Sequence, residues 1–210
     1  MLRLLLAAAT LLSTPAYWTL HIDYPVDRAE YERIDTEDMA TRRDFYASHD
    51  LSMPTVWRIV TIDGAYLGLR PRGTLADFDK SSLTPELTKE LQAKTNPISE
   101  RIHKTLRTHH SEIWRLQPEL STRAENPMPR KYSMMRIDLV APPKDAAYEA
   151  GMKDLVRDLA ANGVETLAFF ASYGDGAYHY IFSSEKPIKV RKLTALADTR
   201  DVAISRVEIR

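Results

Sequence analysis

The side chains best suited to chemistry lie on short segments in which polar and apolar residues alternate. Over residues 17–23, Tyr17, Thr19, His21 and Asp23 alternate with Trp18, Leu20 and Ile22, so an extended backbone puts the polar four on one face. Residues 132–139 repeat the pattern, with Tyr132, Met134, Arg136 and Asp138 against Ser133, Met135, Ile137 and Leu139. A third segment pairs Tyr66 with Tyr178 and Gly68 with Tyr180, leaving Leu67 and His179 on the opposite side. Histidine is a base suited to neutral pH. Arginine fixes a carboxylate through paired hydrogen bonds, and tyrosine offers a flat apolar ring with a polar tip. His21, Arg136, Tyr66, Tyr178, Tyr180 and Arg58 therefore form a candidate set for a small anionic or aromatic ligand, with His21 as the catalytic candidate. A wet sheet face, or side chains satisfying one another inside a filled barrel, would explain the same residues.

Other chemistry finds less support. The chain has no Cys, no His-Glu-x-x-His and no carboxylate cluster at calcium spacing, so no metal site is expected. Gly-x-Ser-x-Gly, Walker and Gly-x-Gly-x-x-Gly loops are missing, and seven Gly leave little material for cradling phosphate. His109 and His110 are adjacent, and on a helix they would point about 100° apart, a poor chelating pair. Lys+Arg and Asp+Glu both number 29, so there is no electrostatic footprint for nucleic acid. No motif identifies a reaction.

The elements that would carry these residues come from an internal echo. Asp63-Gly64-Ala65-Tyr66 returns as Asp175-Gly176-Ala177-Tyr178, each between apolar runs and each preceded by one of the alternating segments. In the second copy a strand at 131–139 is followed by a helix whose apolar residues (Tyr148, Met152, Leu155, Val156, Leu159) share a face. Asn162-Gly163 caps that helix. Strands at 164–172 and 177–182 flank a hairpin at 173–176. A short helix near 187–197 and a final strand at 201–209 complete β-α-β-β-α-β, the ferredoxin-like order. The first copy follows with a strand at 17–23, a helix of weaker periodicity at 25–48 (Tyr31, Ile34, Met39, Tyr46), and strands at 54–61 and 65–70. Two helix starts at Thr84-Pro85 and Asn96-Pro97 precede a strand at 113–116. The expected organisation is a first unit at 17–120 with an enlarged helical insertion at about 74–110, a linker at 121–131 and a second unit at 132–210.

With this topology and the doubled hairpin, residues 17–210 resemble the dimeric α/β-barrel superfamily in its tandem form, an α+β fold of two antiparallel sheets with helices on their outer faces. The resemblance implies that the other sheet faces enclose a central space, the usual ligand site. If the apolar strand faces meet the helices, His21 and Arg136 converge there; both on the helix-covered faces, or a lumen packed solid, would remove the enzyme reading in which His21 accepts a proton and Arg136 holds an anionic substrate. The superfamily includes monooxygenases, haem enzymes, isomerases and proteins without known chemistry. Tandem members that bind haem do so through a helix-borne His, which makes His103 the candidate ligand, although their motif is not recognisable here and their His lies in the second copy. No cofactor is otherwise expected.

Residues 1–16 read as a cleaved secretory signal: Met1-Leu2-Arg3, an apolar run from Leu4 to Leu12, then Ser13-Thr14-Pro15-Ala16. A cysteine-free exported chain suits a bacterial periplasm. After cleavage no stretch is long enough to hold it in a membrane. The reading these features favour is a periplasmic or secreted protein that binds a small molecule or partner protein without catalysis, with a homodimer as one form. The alternatives are a cofactor-independent monooxygenase- or isomerase-like enzyme using the space between the sheets, and a structural or assembly module built on sheet edges.

Overall fold

A computed structural model describes residues 16–78, 80–122, 130–139, 145–189 and 201–209, with the backbone alone for 145–146 and 201–205. In chain order the elements are β1 (Tyr17–Pro25), α1 (Arg28–Ser48), β2 (Trp57–Thr61), β3 (Tyr66–Gly73), α2 (Pro85–Thr105), β4 (Leu106–Leu116), β5 (Tyr132–Leu139), α3 (Asp145–Ala160), β6 (Glu165–Tyr173), β7 (Tyr178–Ser184) and β8 (Asp201–Ile209). The strands close into one antiparallel barrel in the order β1-β3-β2-β8-β5-β7-β6-β4. The two halves join where β2 pairs with β8 (Ile59 opposite Ile209) and where β4 pairs with β6 (Trp114 opposite Ala171).

The lumen of this barrel is filled. All eight strands contribute apolar side chains to one cluster, in which Trp18, Leu69, Trp114, Phe169, Leu20 and Ile59 are fully buried. The rings of Trp18 and Trp114 lie 5.6 and 5.4 Å from that of Phe169. An eight-stranded barrel is just wide enough for its own side chains to fill, and each large apolar residue buried there contributes about 1.5–3 kcal/mol. The expectation that the apolar strand faces meet the helices is therefore reversed. Trp18, Leu20, Ile22 and Met135 point inward, and the faces that carry His21 and Arg136 point outward under the helices.

What the helices cover differs between the halves. On the second, Tyr148, Met152 and Leu159 of α3 pack on Met134, Tyr180 and Phe182 in one apolar cluster. On the first, α1 and α2 pack against each other through Phe45, Tyr46 and Leu91, and bridge to the sheet mainly through Tyr31, Val60 and Tyr66. Arg101 of α2 also forks onto Glu37 of α1 at 2.7 and 2.8 Å.

Several boundaries differ from expectation. Residues 85–105 form one helix, not two. Thr84 caps it by accepting from the Leu87 amide, while Pro97 sits inside and costs one backbone hydrogen bond without ending it. Strand β4 begins at Leu106 rather than residue 113, so the helical insertion ends at Thr105 and His109 and His110 lie on a strand with opposite orientations. Residues 187–189 are not helical, and the remainder of the helix expected to residue 197 lies outside the described residues, as do residues 1–15 of the signal and 123–129 of the linker.

Candidate active site

A cavity of about 490 Å³ opens between the outer face of the first-half strands and helices α1 and α2. Strand register builds its floor. His21 on β1 faces Gly68 on β3 on one side and Ser111 on β4 on the other, and Gly68 in turn faces Arg58 on β2. One row across four strands thus reads Ser111, His21, Gly68, Arg58. With strands 4.7–4.9 Å apart, the missing side chain at Gly68 leaves a gap of roughly 10 Å between the Cα atoms of His21 and Arg58. Tyr31, Asp35, Asp38 and Arg42 from α1 and Ile102 and His103 from α2 form the roof.

His21 is held at both ring nitrogens. Nδ1 shares a hydrogen bond with Ser111 Oγ at 3.1 Å, and Nε2 lies 3.0 Å from Asp23 Oδ1. That second contact is close but poorly aligned, because Oδ1 takes no hydrogen bond of good geometry. Asp23 is buried, and its Oδ2 accepts the Tyr31 hydroxyl at 2.8 Å. The Asp23 contact holds the imidazole above its ordinary range, with partial burial pulling the other way. Burial would raise the Asp23 carboxyl, but His21 and Tyr31 more than offset it and keep it low. Burial and the adjacent Asp23 push the Tyr31 phenol far up, so it stays a donor. The result is a hydroxyl, an imidazole and a carboxylate in one chain, with the exchangeable hydroxyl on the exposed side.

The other sequence-derived candidates divide between two places. Arg58 and Tyr66 line this cavity with His21. Arg58 pairs with Asp35 of α1, and Tyr66 donates to Glu32. Arg136, Tyr178 and Tyr180 lie beneath α3 on the second half, correcting their expected place in the lumen. Arg136 is fully buried, and its Nε donates to both Asp138 oxygens at 2.7 and 2.9 Å. Tyr148 hydroxyl lies 2.5 Å from Asp138 and 2.9 Å from Tyr180 hydroxyl, while Tyr178 reaches Glu149. His21 and Arg136 do not converge: each sits on a helix-covered face, and the packed lumen lies between them. Ser111, Gly68, Asp35, Arg42, Arg70 and Arg72 were missed as site residues. Parity along β3 already put Gly68, Arg70 and Arg72 on the Tyr66 face, but Ser111 depends on a pairing 90 positions away.

Two clusters hold donor atoms of metal-ligating type. His21, Asp23 and His109 offer three within 4.8 Å of one another, as do Glu112, Asp175 and His179. In the second, Glu112 already accepts the Trp114 indole at 2.6 Å, and Asp175 faces His179 at 3.0 Å. In the first, Asp23 Oδ2 accepts the Tyr31 hydroxyl, and Oδ1 lies 3.0 Å from His21 Nε2 without a well-aligned hydrogen bond. Haem fits poorly. His103 does reach the cavity, but Asp23, Asp35, Asp38, Arg42, Arg58, Arg70 and Arg72 line it where a porphyrin face needs apolar walls.

No protein-family model matches the chain, and no curated protein matches it. Solved structures do. A proposed monooxygenase of Fusobacterium nucleatum superimposes with a TM-score of 0.56 at 6% identity, over 92% of this chain and 91% of that one. A proposed monooxygenase of Lactobacillus acidophilus gives 0.53 at 8% identity, over 92% and 94%. A mutant chlorite dismutase from Candidatus Nitrospira defluvii gives 0.53 at 11% identity, over 95% and 94%. At such identities the likeness is one of fold, and the fold is that of the dimeric α/β-barrel proteins, with the whole eight-stranded barrel in one polypeptide.

Proposed function

We propose that the protein is an enzyme of the isomerase- or cofactor-independent monooxygenase-like kind, which moves a proton on a small molecule held over Gly68. The observation that carries this reading is the floor row itself: a base on one side of an empty glycine position and a cation on the other, in a roofed cavity. Two of the fold neighbours are named as proposed monooxygenases, which agrees with it, and the third carries a different enzymatic name, chlorite dismutase. They favour it over the non-catalytic binding that the sequence alone suggested, and the filled lumen moves the site from between the sheets to beneath the helices.

In this reading a C–H or O–H bond of the substrate breaks toward the Ser111–His21 edge. The hydroxyl of Ser111 turns aside or passes its own proton to Nδ1 as it takes the new one. Asp23 stabilises the imidazolium that results, and the electron pair left on the substrate faces the Arg58 side. Return of the proton to a different atom gives an isomer; where a C–H bond has broken, addition of the carbanion to dioxygen forms a C–O bond, and the peroxide anion takes the proton back from the His21 imidazolium to leave a hydroperoxide. General-base catalysis of this type is worth about 10²–10⁴ in rate.

The test is deuterium exchange into a panel of small oxo acids and phenols in D2O, followed by NMR, with oxygen uptake recorded in parallel. Wild type should exchange at least one compound class. His21→Gln should lose at least a hundredfold, and Gly68→Val should lose binding while keeping its fold. A Cβ at residue 68 meets nothing nearer than 3.7 Å, so the valine occupies cavity space rather than backbone space. Equal rates in wild type and His21→Gln, or no exchange and no uptake with any compound, would refute the reading.

Two further expectations belong with it. Export with cleavage near Tyr17 is supported by the composition of residues 1–16, and the N-terminal mass of the protein purified from its natural host checks it. Descent of the two halves from one duplicated ferredoxin-like unit is supported by their matching strand orders, β4-β1-β3-β2 and β8-β5-β7-β6, and by the doubled Asp-Gly-Ala-Tyr hairpin.

A further inference from the structure

The end of the cavity away from Asp23 carries more positive charge than its neighbours neutralise. Arg70 and Arg72 follow Gly68 on the same face of β3, and Arg42 hangs over them from α1. Arg42 Nε donates to Asp38 at 2.6 Å. Among the described residues, the guanidinium of Arg70 makes no ion pair and no hydrogen bond, and Arg72 Nε is buried without a partner. Arg72 lies 5.9 Å from the Phe78 ring, a contact that offers its buried Nε no acceptor. Three guanidinium groups thus face one carboxylate, and the buried Tyr46 ring lines the same wall. Burial first, then the charges of Arg72 and Arg42, press the Arg70 guanidinium below its ordinary range, with Tyr46 acting in the other direction.

Partly buried cations without counter-ions cost stability unless a ligand supplies one. Forked donors converging from two elements match the oxygens of a carboxylate or phosphate. We infer that the Arg42, Arg70 and Arg72 end of the cavity is a subsite for an oxyanion group of the small molecule whose reactive end lies over Gly68. Two residues of strand separate Gly68 from Arg70, roughly 7 Å along the backbone, so the substrate class is an elongated organic acid or phosphate ester whose anion lies apart from its reactive centre. The substrate class rests on the cavity being the substrate site; the anion subsite itself does not need His21.

Inorganic phosphate is the probe, titrated into wild type, Arg70→Gln, Arg70→Lys and His21→Gln at constant ionic strength set with chloride, with melting temperature and calorimetry as readouts. Wild type and His21→Gln should bind saturably and with equal affinity. Arg70→Gln should bind at least tenfold more weakly, and Arg70→Lys, which keeps charge but loses the fork, should lie between. Phosphate stabilising wild type no more than chloride does, or Arg70→Gln retaining wild-type affinity, overturns the subsite. Circular dichroism without phosphate shows that each variant is folded. Phosphate binding without proton exchange in any compound would leave the subsite standing and remove the catalytic reading.

Discussion

Asp138→Asn tests whether Arg136 serves the core or a ligand. Arg136 and Asp138 are both fully buried, and the carboxylate shares the single Nε–H of the guanidinium between its two oxygens and accepts the Tyr148 hydroxyl. Neutralising it removes the buried carboxylate that the Arg136 Nε donates to. Breaking a buried pair from one side costs about 3–5 kcal/mol, which in a chain of this size is a fall of roughly 6–20 °C in melting temperature. Urea denaturation followed by tryptophan fluorescence and far-UV dichroism measures it. The double variant Arg136→Met/Asp138→Leu removes both charges at similar volume and should regain most of the loss, since apolar replacement of a buried pair is often neutral or stabilising. A single-variant cost below about 1 kcal/mol would mean that the guanidinium is solvated and free to hold something else, and the structural assignment of Arg136 would fall.

Other consequences are as direct. His21 is raised above its ordinary value near 6.5, so its contribution to stability is full below that pH and is lost as pH climbs through its folded value. The depressed Asp23 carboxyl does the opposite, contributing above its ordinary value of 3.8 and losing that contribution as pH falls through its folded value. Melting curves from pH 5 to 9 should therefore decline on the alkaline side, and His21→Gln should flatten that decline; an unchanged slope counts against the Asp23–His21 contact. Gly174→Ala should cost about 3 kcal/mol, because its Cβ would fall 2.7 Å from the Glu112 side chain at a φ of 154°. Gly64→Ala has a φ of 88° and open space, and should cost only about 1–2 kcal/mol. Chemical denaturation of the two variants decides whether Glu112 is fixed where the Trp114 indole holds it.

Legibility along the sequence followed the presence of a one-sided burial signal. Helix α3 was readable because its apolar residues meet an apolar sheet face, and β8 because Val202, Ile204, Val207 and Ile209 recur through 201–209 without a glycine or proline between them. The start of β4 was not, since Arg107 to Ser111 are all exposed and no alternation marks them as a strand. Only the ladder with β1, in which Asp23 faces His109, holds them extended. The single helix α2 was hidden because Asn96-Pro97 carries the signature of a helix start while the flanking turns continue through it. Of the site, strand parity gave the residues that share a face but not which side of the sheet that face would be on.

That choice of side follows from a volume requirement. A closed barrel of eight strands must be filled by its own alternate residues, and here the set that fills it contains Trp18, Trp114 and Phe169. The polar alternates are then forced outward, where a helix must either match them or leave space. Helix α3 brings Tyr148, a phenol that closes the Arg136–Asp138 pair, and an otherwise apolar face that seals the second half. Helix α1 repeats the motif only once, with Tyr31 on Asp23, and then presents Asp35, Asp38 and Arg42 to Arg58 and Arg70 instead of apolar groups. Its weak helical periodicity, visible in the sequence as a poorly amphipathic segment, is the signature of an inner face that does not pack. The cavity lies beneath it for that reason, and substitutions that make α1 more amphipathic, such as Asp35→Leu with Arg58→Met, should stabilise the fold by closing the site. Loss of phosphate affinity together with a higher melting temperature is the expected pair of results; a higher melting temperature with affinity unchanged would show that the floor row and the arginine end do not share one space.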